Sequence, residues 1–457
     1  MTVAVCQKRR PRLPTGPAAR IVAALATLLM IIAVGGAAAA SQNPSQPRTP
    51  QTEKTTPLDV YAPPPVVRER AVRYSRIEDD LYFGGVALSF AIDGFLWLAG
   101  FGRRLREFAT HLSSSLFLQC VIVVPAFWAV AGMLDFPLAC YGDFVVPRRF
   151  GLSTETFAAW LGDWGKMLGL SAFGAVFVAW IFYRIVRHSP RRWWLYFWLA
   201  TIPVSAFVIL IEPVAVEPLF YHFTLLDRKH PAFAARVEAM LHHAGLYIPE
   251  SRLFEMNASR KTRELNAFVY GLGASKRVVI WDTTLRDLSP DEALEVVGHE
   301  IGHYVLHHVT KVFVLIELLS LGGVFLGFYV LKWSIRRWGE RTGIESAGDP
   351  ASLPLILLIL AVGAFLASPI VCAISRHYEH QADQYALELT YGIVPNPNAA
   401  AVGAFRVLGE KDLSDPAPGR FIRFWLYTHP PLASRIRFAA HYKPWAQGKP
   451  MKLLHSR

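Results

Sequence analysis

Seven stretches of about 20 residues, each the length that crosses a bilayer core, run almost without a polar interruption, and they limit what this chain can become. They lie at approximately Arg20–Ala40, Leu81–Phe101, Ser115–Leu134, Met167–Ile185, Trp194–Val216, Val312–Leu331 and Leu353–Ile374. In lipid the backbone must satisfy its own hydrogen bonds, so such stretches become helices. The spacing therefore predicts a mainly α, multi-pass transmembrane helical bundle of about seven spans. The chain is 53% hydrophobic overall, and it is the clustering of those residues that carries the argument. Asp93 and Glu317 interrupt the second and sixth stretches. A charge at that depth faces a polar interior rather than lipid.

The first block follows Lys8, Arg9, Arg10 and Arg12 and ends in Ala37–Ala40 before Ser41. A cleaved signal peptide and an uncleaved signal anchor both fit residues 1–40. The length of the run favours the anchor. Residues 41–70 are rich in Pro, Gln, Thr and Ser and read as a flexible linker. A transmembrane domain follows over 71–216. Then comes a domain over 217–445 that includes two spans at about 312–331 and 353–374, and a tail over 446–457.

Basic residues collect in three short loops, at Arg103, Arg104 and Arg106, at Arg187, Arg191 and Arg192, and at Lys332, Arg336, Arg337 and Arg341. All three fall on the side of the basic N-terminus, which the positive-inside rule makes cytoplasmic. Residues 217–311 and the C-terminal tail then face the opposite side. The net charge of +12 is accounted for by this anchoring, and no nucleic-acid module or basic stripe interleaved with aromatics is present. Four cysteines, none paired at ligand spacing, exclude a thiolate metal site and a disulfide framework.

The segment 217–311 is soluble in character. Pro231 to Gly245 has helical periodicity, with Phe233, Val237, Met240, Leu241 and Ala244 on one face. Leu253–Met256 is a strand candidate, and Ala267–Tyr270 with Arg277–Trp281 read as a β-hairpin. Ser289-Pro290-Asp291-Glu292 is a capping box with Pro at the first helical position. The helix it opens carries Gly298-His299-Glu300-Ile301-Gly302-His303-Tyr304. His299 and His303 stand one turn apart and reach one metal ion, and Glu300 lies beside them to act as base on an acidified water. Leu294, Val297, Ile301 and Val305 keep the helical register. Nearby His307 and His308 read as surface or supporting groups.

A catalytic zinc needs a third protein ligand. Ser375-Arg376-His377-Tyr378-Glu379-His380-Gln381-Ala382-Asp383, after the last apolar block, offers Glu379, with Asp383 one turn on to orient a ligating histidine. By spacing alone His377 or His380 could serve in its stead.

From about residue 70 to 440 the chain resembles the type I CAAX prenyl protease family of integral-membrane zinc metallopeptidases. The resemblance rests on Pro218-Leu219-Phe220, Asn266-Ala267-Phe268-Val269-Tyr270-Gly271, Lys276-Arg277-Val278-Val279-Ile280-Trp281-Asp282, the His299–His303 motif, Arg376 with Glu379, Ala382 and Asp383, and His429-Pro430-Pro431 with Arg435. It implies a zincin-like domain with a small sheet, spans that enclose a chamber capped by the zinc helix, and one Zn2+ per chain held by His299, His303 and Glu379. It further implies Glu300 as base, Asn266 and His429 beside the oxyanion, Asp383, Arg435 and Arg376 as supports, and the 266–281 hairpin as an edge for an extended peptide. Three features depart from the family, the first being the N-terminal Pro-rich linker. Tyr304 stands where a tryptophan is frequent, and the charge bias turns the soluble face away from the cytoplasm, whereas eukaryotic members present theirs to the cytosol.

The expected activity is endopeptidase action on peptide or protein substrates, membrane-associated or lipidated, either by CAAX-type C-terminal processing or by quality control of membrane and exported proteins. A site-2-type intramembrane protease is disfavoured, because Arg286, Asp287, Asp291, Glu292 and Glu295 keep the motif helix out of lipid. A non-catalytic scaffold or lipid-binding chamber is disfavoured by the completeness of the site.

Overall fold

In the computed structural model residues 60–271 and 276–454 are described. The first apolar block, residues 41–59 of the linker stretch, residues 272–275 between the hairpin strands and residues 455–457 lie outside the described residues. Helix α1 (Pro65–Leu98) opens with Pro65 at its first position, where a missing N–H costs nothing. This corrects the linker reading at its C-terminal end, since residues 65–70 already belong to the helix and Ala71 and Tyr74 are buried. A short amphipathic helix α2 (Phe101–Leu112) follows. Then come α3 (Leu116–Ala139), continued through a π-turn over Cys140–Val145, α4 (Phe157–His188) and α5 (Trp193–Ile211).

The extramembrane unit begins with β1 (Phe223–Leu225), which the periodicity did not signal, and α6 (Pro231–His243). Ala234, Val237, Met240 and Leu241 of α6 are buried, and Gly245 ends the helix with φ 71°. Strands β2 (Leu253–Met256), β3 (Ala267–Tyr270) and β4 (Arg277–Trp281) complete a four-stranded sheet of order β1-β2-β4-β3. The expected hairpin is antiparallel, with Ala267 opposite Ile280 and Tyr270 opposite Arg277. β2 pairs with β4 in parallel. β3 is thus an edge strand of the sheet.

Next are α7 (Asp282–Asp287), α8 (Pro290–Val305), α9 (His308–Thr342), α10 (Leu353–Thr390), α11 (Pro397–Lys411), α12 (Arg420–Leu426) and α13 (Leu432–His441). Among the described residues six helices are long and apolar enough to cross a membrane. Two main cores result. One, inside the bundle, gathers Val124, Phe127, Trp128, Tyr183 and Leu357. The other joins sheet and helices through Leu241, Ile280, Leu294, Ile301 and Ile436.

The buried carboxyls behave as polar groups in a bundle must. Asp93 is fully buried, and Glu317 accepts from Thr201 at 3.5 Å while Ser320 stands at 3.5 Å. An apolar cavity of ≈ 140 Å³ lies between α4, α5, α9 and α10, lined by Phe182, Phe197, Val324 and Leu357 among others. At the far end of the bundle most of the basic residues expected in loops belong to helices, Arg103, Arg104 and Arg106 to α2, Arg187 to α4 and Lys332, Arg336, Arg337 and Arg341 to α9, because those helices extend beyond their apolar stretches. Arg106 pairs with Glu345 (2.8 Å) and Asp349 (3.1 Å), and Arg187 donates to the carbonyl of Gly348 (2.9 Å).

Candidate metal centre

Helix α8 is fixed at its start by the capping box. Ser289 Oγ accepts from the Glu292 backbone N–H (3.4 Å), and Glu292 Oε2 accepts from the Ser289 N–H (2.8 Å). From Ala293 to His303 every residue is buried, because the helix runs between the sheet and α10. Two glycines permit that approach. A Cβ at Gly302 would lie 3.1 Å from the Cβ of Tyr385 and 3.3 Å from the Cα of Ala382, and one at Gly298 would lie 3.5 Å from the Cα of Ala386. The close contact brings residues 299 and 303 against residues 379 and 383 of α10.

The resulting cluster is compact. His299 Nε2 is 3.1 Å from Glu379 Oε2 and 3.0 Å from His303 Nε2, and His303 Nε2 is 3.5 Å from Glu379 Oε1. One ligand atom from each of the three lies within 4.8 Å of the others. Donors about 2.0–2.2 Å from a shared tetrahedral centre stand roughly 3.3–3.5 Å apart, so the observed separations of 3.0, 3.1 and 3.5 Å lie within a few tenths of an ångström of what one ion requires. The two facing Nε2 atoms beside a carboxylate are a donor set suited to a borderline-soft dication. His377 and His380, the alternatives by spacing, are solvent-exposed and outside this cluster.

Around it the supports are specific. His299 Nδ1 meets Asp383 Oδ1 at 2.8 Å. Arg435, 1% exposed, donates from Nε to Asp383 Oδ2 (2.8 Å) and from Nη2 to Oδ1 (2.5 Å). His429 Nε2 is 3.0 Å from Glu379 Oε2, and its Nδ1 is 2.9 Å from Thr428 Oγ1. Arg376 makes no such contact with the cluster. It donates to the carbonyls of Arg423 (2.9 Å) and Tyr427 (2.5 Å), bracing the segment that leads into His429. Asn266 is held by its backbone, donating from N to Thr284 Oγ1 (2.7 Å) and accepting at its carbonyl from Thr284 Oγ1 (2.8 Å) and the Trp281 N–H (3.0 Å). Its carboxamide is buried and makes no hydrogen bond among the described residues. His307 is exposed, whereas His308 is buried and its Nδ1 lies 3.1 Å from His303 Nδ1. Of the two, only His308 reaches the cluster, a distinction invisible in spacing.

Burial shapes the electrostatics. The Glu300 carboxyl is raised well above its ordinary range by desolvation and then by the charge of Glu379, with Arg435 opposing. Both Glu300 oxygens are buried without a hydrogen-bond partner among the described residues. Burial works against charge on His299, but its hydrogen bonds to Asp383 and Glu379 prevail and the net shift is upward. His303 is held down by burial. Glu295, one turn before His299, is buried and accepts from Thr390 Oγ1, and desolvation pushes it up to about 8.

Residues 227–443 match the family model for peptidase family M48, and residues 68–222 match that for the CAAX prenyl protease N-terminal region with five membrane helices. The chain is 33% identical to the uncharacterized metalloprotease YhfN of Bacillus subtilis (strain 168) over 369 residues, 81% of this chain and 84% of that one. It is 28% identical to the CAAX prenyl protease 1 homolog of Dictyostelium discoideum over 272 residues, 57% of this chain and 61% of that one. The fold is shared with the crystal structure of S. mikatae Ste24p at a TM-score of 0.70 and 23% identity, covering 84% of this chain and 93% of the other. Fold and sequence together thus define a multi-pass integral-membrane metalloprotease that acts on peptide or protein substrates. The chain belongs to peptidase family M48.

Proposed function

We propose that this protein is a zinc endopeptidase in which His299, His303 and Glu379 hold one ion and Glu300 is the general base. One observation carries the reading: three ligand atoms lie within 4.8 Å of one another beside a buried carboxyl that has no hydrogen-bond partner among the described residues. A zinc ion at that point supplies Lewis acidity, polarising a peptide carbonyl and acidifying a water. Glu300 takes the proton of the attacking water and returns it to the leaving amine. An adjacent dication would favour the ionised carboxylate and so offset the burial that raises the Glu300 carboxyl. His429 and Asn266 donate to the oxygen on which charge develops, and the unpaired carboxamide of Asn266 is free to do so. Asp383 and Arg435 fix the His299 ring, and Arg376 fixes the approach to His429. The open edge of β3 receives the substrate as an added strand.

The substrate is a membrane-associated peptide. Relatives with the name CAAX prenyl protease 1 homolog support lipidated C-terminal segments. The basic residues gathered at the opposite end of the bundle support a second reading, in which the site faces the non-cytoplasmic side and serves quality control of membrane or exported proteins. Cysteine labelling at residues 250 and 450 in intact membranes separates the two readings by sidedness. The primary test is Glu300→Gln. The variant retains one zinc per chain while turnover falls by about 10²–10⁴-fold, and undiminished cleavage would refute the assigned base.

A further inference from the structure

The two histidines of the centre are supported in different ways. His299 leans on an anion, Asp383, which Arg435 neutralises. His303 has no carboxylate on its Nδ1 and faces another imidazole. We propose that His308 is a positioning residue that, as a neutral hydrogen-bond acceptor, fixes the tautomer and ring orientation of His303. This rests on the reading of His299, His303 and Glu379 as metal ligands.

The chain goes out of its way to bring His308 there. Helix α8 ends at Val305, and His307 adopts the left-handed conformation (φ 55°, ψ 33°), which costs a side-chain-bearing residue on the order of 1 kcal/mol. That single residue reverses the path, so that His308 begins α9 buried, at 1% exposure, instead of continuing outward along α8. Its ring stacks on Tyr378 (centroids 4.6 Å apart, 17° between planes). Its Nδ1 is 3.1 Å from His303 Nδ1, and its Nε2 is 3.0 Å from Gln381 Oε1. Tyr378 and Gln381 flank Glu379 on α10, so the residue that supports one ligand is gripped by the neighbours of another.

Proton placement follows from this geometry. Two facing Nδ1 atoms share a single proton. His303 directs Nε2 toward Glu379 and His299, so as a neutral ligand it carries its proton on Nδ1 and donates to His308 Nδ1. His308 then carries its own proton on Nε2 and donates it to Gln381 Oε1, an amide oxygen, where the chain ends. Every donor in the series has an acceptor, and the imidazole of His303 is left with its lone pair on the atom that faces the centre. Without the acceptor, a buried N–H is stranded and the other tautomer, which turns a proton toward the ion, gains ground.

The test is zinc affinity of the full-length, detergent-solubilised chain, measured by competition with a chromophoric chelator for wild type, His308→Ala, His308→Asn and His308→Gln. Asparagine presents an oxygen where the His308 Nδ1 stood, whereas glutamine extends to the Nε2 position and lacks the acceptor. His308→Ala is expected to weaken zinc binding by about 10–100-fold, the usual cost of losing a group that orients a ligand. His308→Asn is expected to recover most of that loss and His308→Gln little of it. A merely space-filling role would not separate the two amides. The inference is overturned if His308→Ala binds zinc as tightly as wild type, or if the Asn and Gln variants behave alike, and this second comparison stands even where the alanine variant does not fold. A wild-type chain without zinc would refute the underlying metal reading instead. A zinc-replete wild type with indifferent His308 variants would leave that reading intact and remove only the role of His308.

Discussion

Replacing Arg435 by methionine should be among the most damaging single changes to this fold outside the candidate ligands, and the contacts say how damaging. The guanidinium and the Asp383 carboxylate are both buried, at 1% and 3% exposure, so solvent screening does not dilute their pairing. Two charge-assisted hydrogen bonds of 2.8 and 2.5 Å join them, and the guanidinium lies 4.4 Å from the Phe405 ring centroid. Removing the cation strands a buried anion, which costs about 3–5 kcal/mol, and the lost ring contact adds roughly 0.5–1 kcal/mol. Asp383→Asn in the same background removes the stranded charge while keeping an acceptor for His299 Nδ1. The double variant should therefore recover much of the loss, with a coupling of about 2 kcal/mol or more between the sites. The ring contact cancels in that cycle, because it is absent on both arms that lack arginine. Unfolding by denaturing detergent can be followed through the 13 tryptophans. An Arg435→Met chain as stable as wild type, or a double variant as costly as the two singles added, would refute the reasoning. Zinc affinity should fall in the double variant even where stability returns, since an amide orients His299 less strongly than a carboxylate.

Other perturbations read out other parts of the argument. Gly302→Ala gains about 0.8–1 kcal/mol in helix propensity but forces Tyr385 and Ala382 of α10 apart from α8, an overpacking cost of about 1–3 kcal/mol. Its thermal midpoint and its metal content should both drop, and an unchanged zinc affinity would show that the interhelical spacing is not critical. Glu295 is raised from 4.5 to about 8 in the folded chain, so the folded state binds the extra proton between those values and stability falls as pH rises through them. Glu295→Gln should flatten that loss, so that its stability relative to wild type improves from pH 5 to pH 8.5, and parallel pH profiles would contradict the shift. Glu388 is fully buried and accepts from the backbone N–H groups of Lys452 (3.1 Å), Leu453 (2.8 Å) and Leu454 (2.8 Å). Truncation after Met451 leaves that carboxylate three donors short and should cost about 1–3 kcal/mol in an unfolding titration.

The parts of this molecule that local chemistry writes were legible in advance. The capping box at Ser289 and Glu292 forms as its spacing implies, the alternation in 267–270 and 277–281 yields an antiparallel pair, and the spacing of His299 and His303 brings their Nε2 atoms together. Other features depend on contacts between distant segments, which no local pattern encodes. The parallel pairing of β2 with β4 is set by the core beneath the sheet, and β1, at three residues, is too short to show a period. The fates of His307 and His308 differ because one residue adopts a left-handed backbone, and a tandem repeat of the same amino acid gives no hint of that. Pro65 looked like the continuation of a Pro-rich linker, yet proline is equally suited to a helix start, and burial of Ala71 and Tyr74 decided for the helix. Arg376, His429 and Arg435 were singled out only through the resemblance to a family. Their contacts with Tyr427, Glu379 and Asp383 are geometric relations that became visible in the fold.

Helix α10 runs from Leu353 to Thr390 with Pro369 inside it, so the apolar stretch and the stretch that carries Glu379 belong to one continuous helix. From Leu353 to Glu379 is 26 residues, about 39 Å at 1.5 Å per residue, and a tilt of 3° about its distant end swings the carboxylate by roughly 2 Å, within the range through which spans adjust to bilayer thickness. A centre assembled from loosely attached segments would be pulled apart by such a swing. Here Gly298 and Gly302 seat α8 directly on α10, so a swing of that helix carries the packed imidazoles in the same direction as the carboxylate.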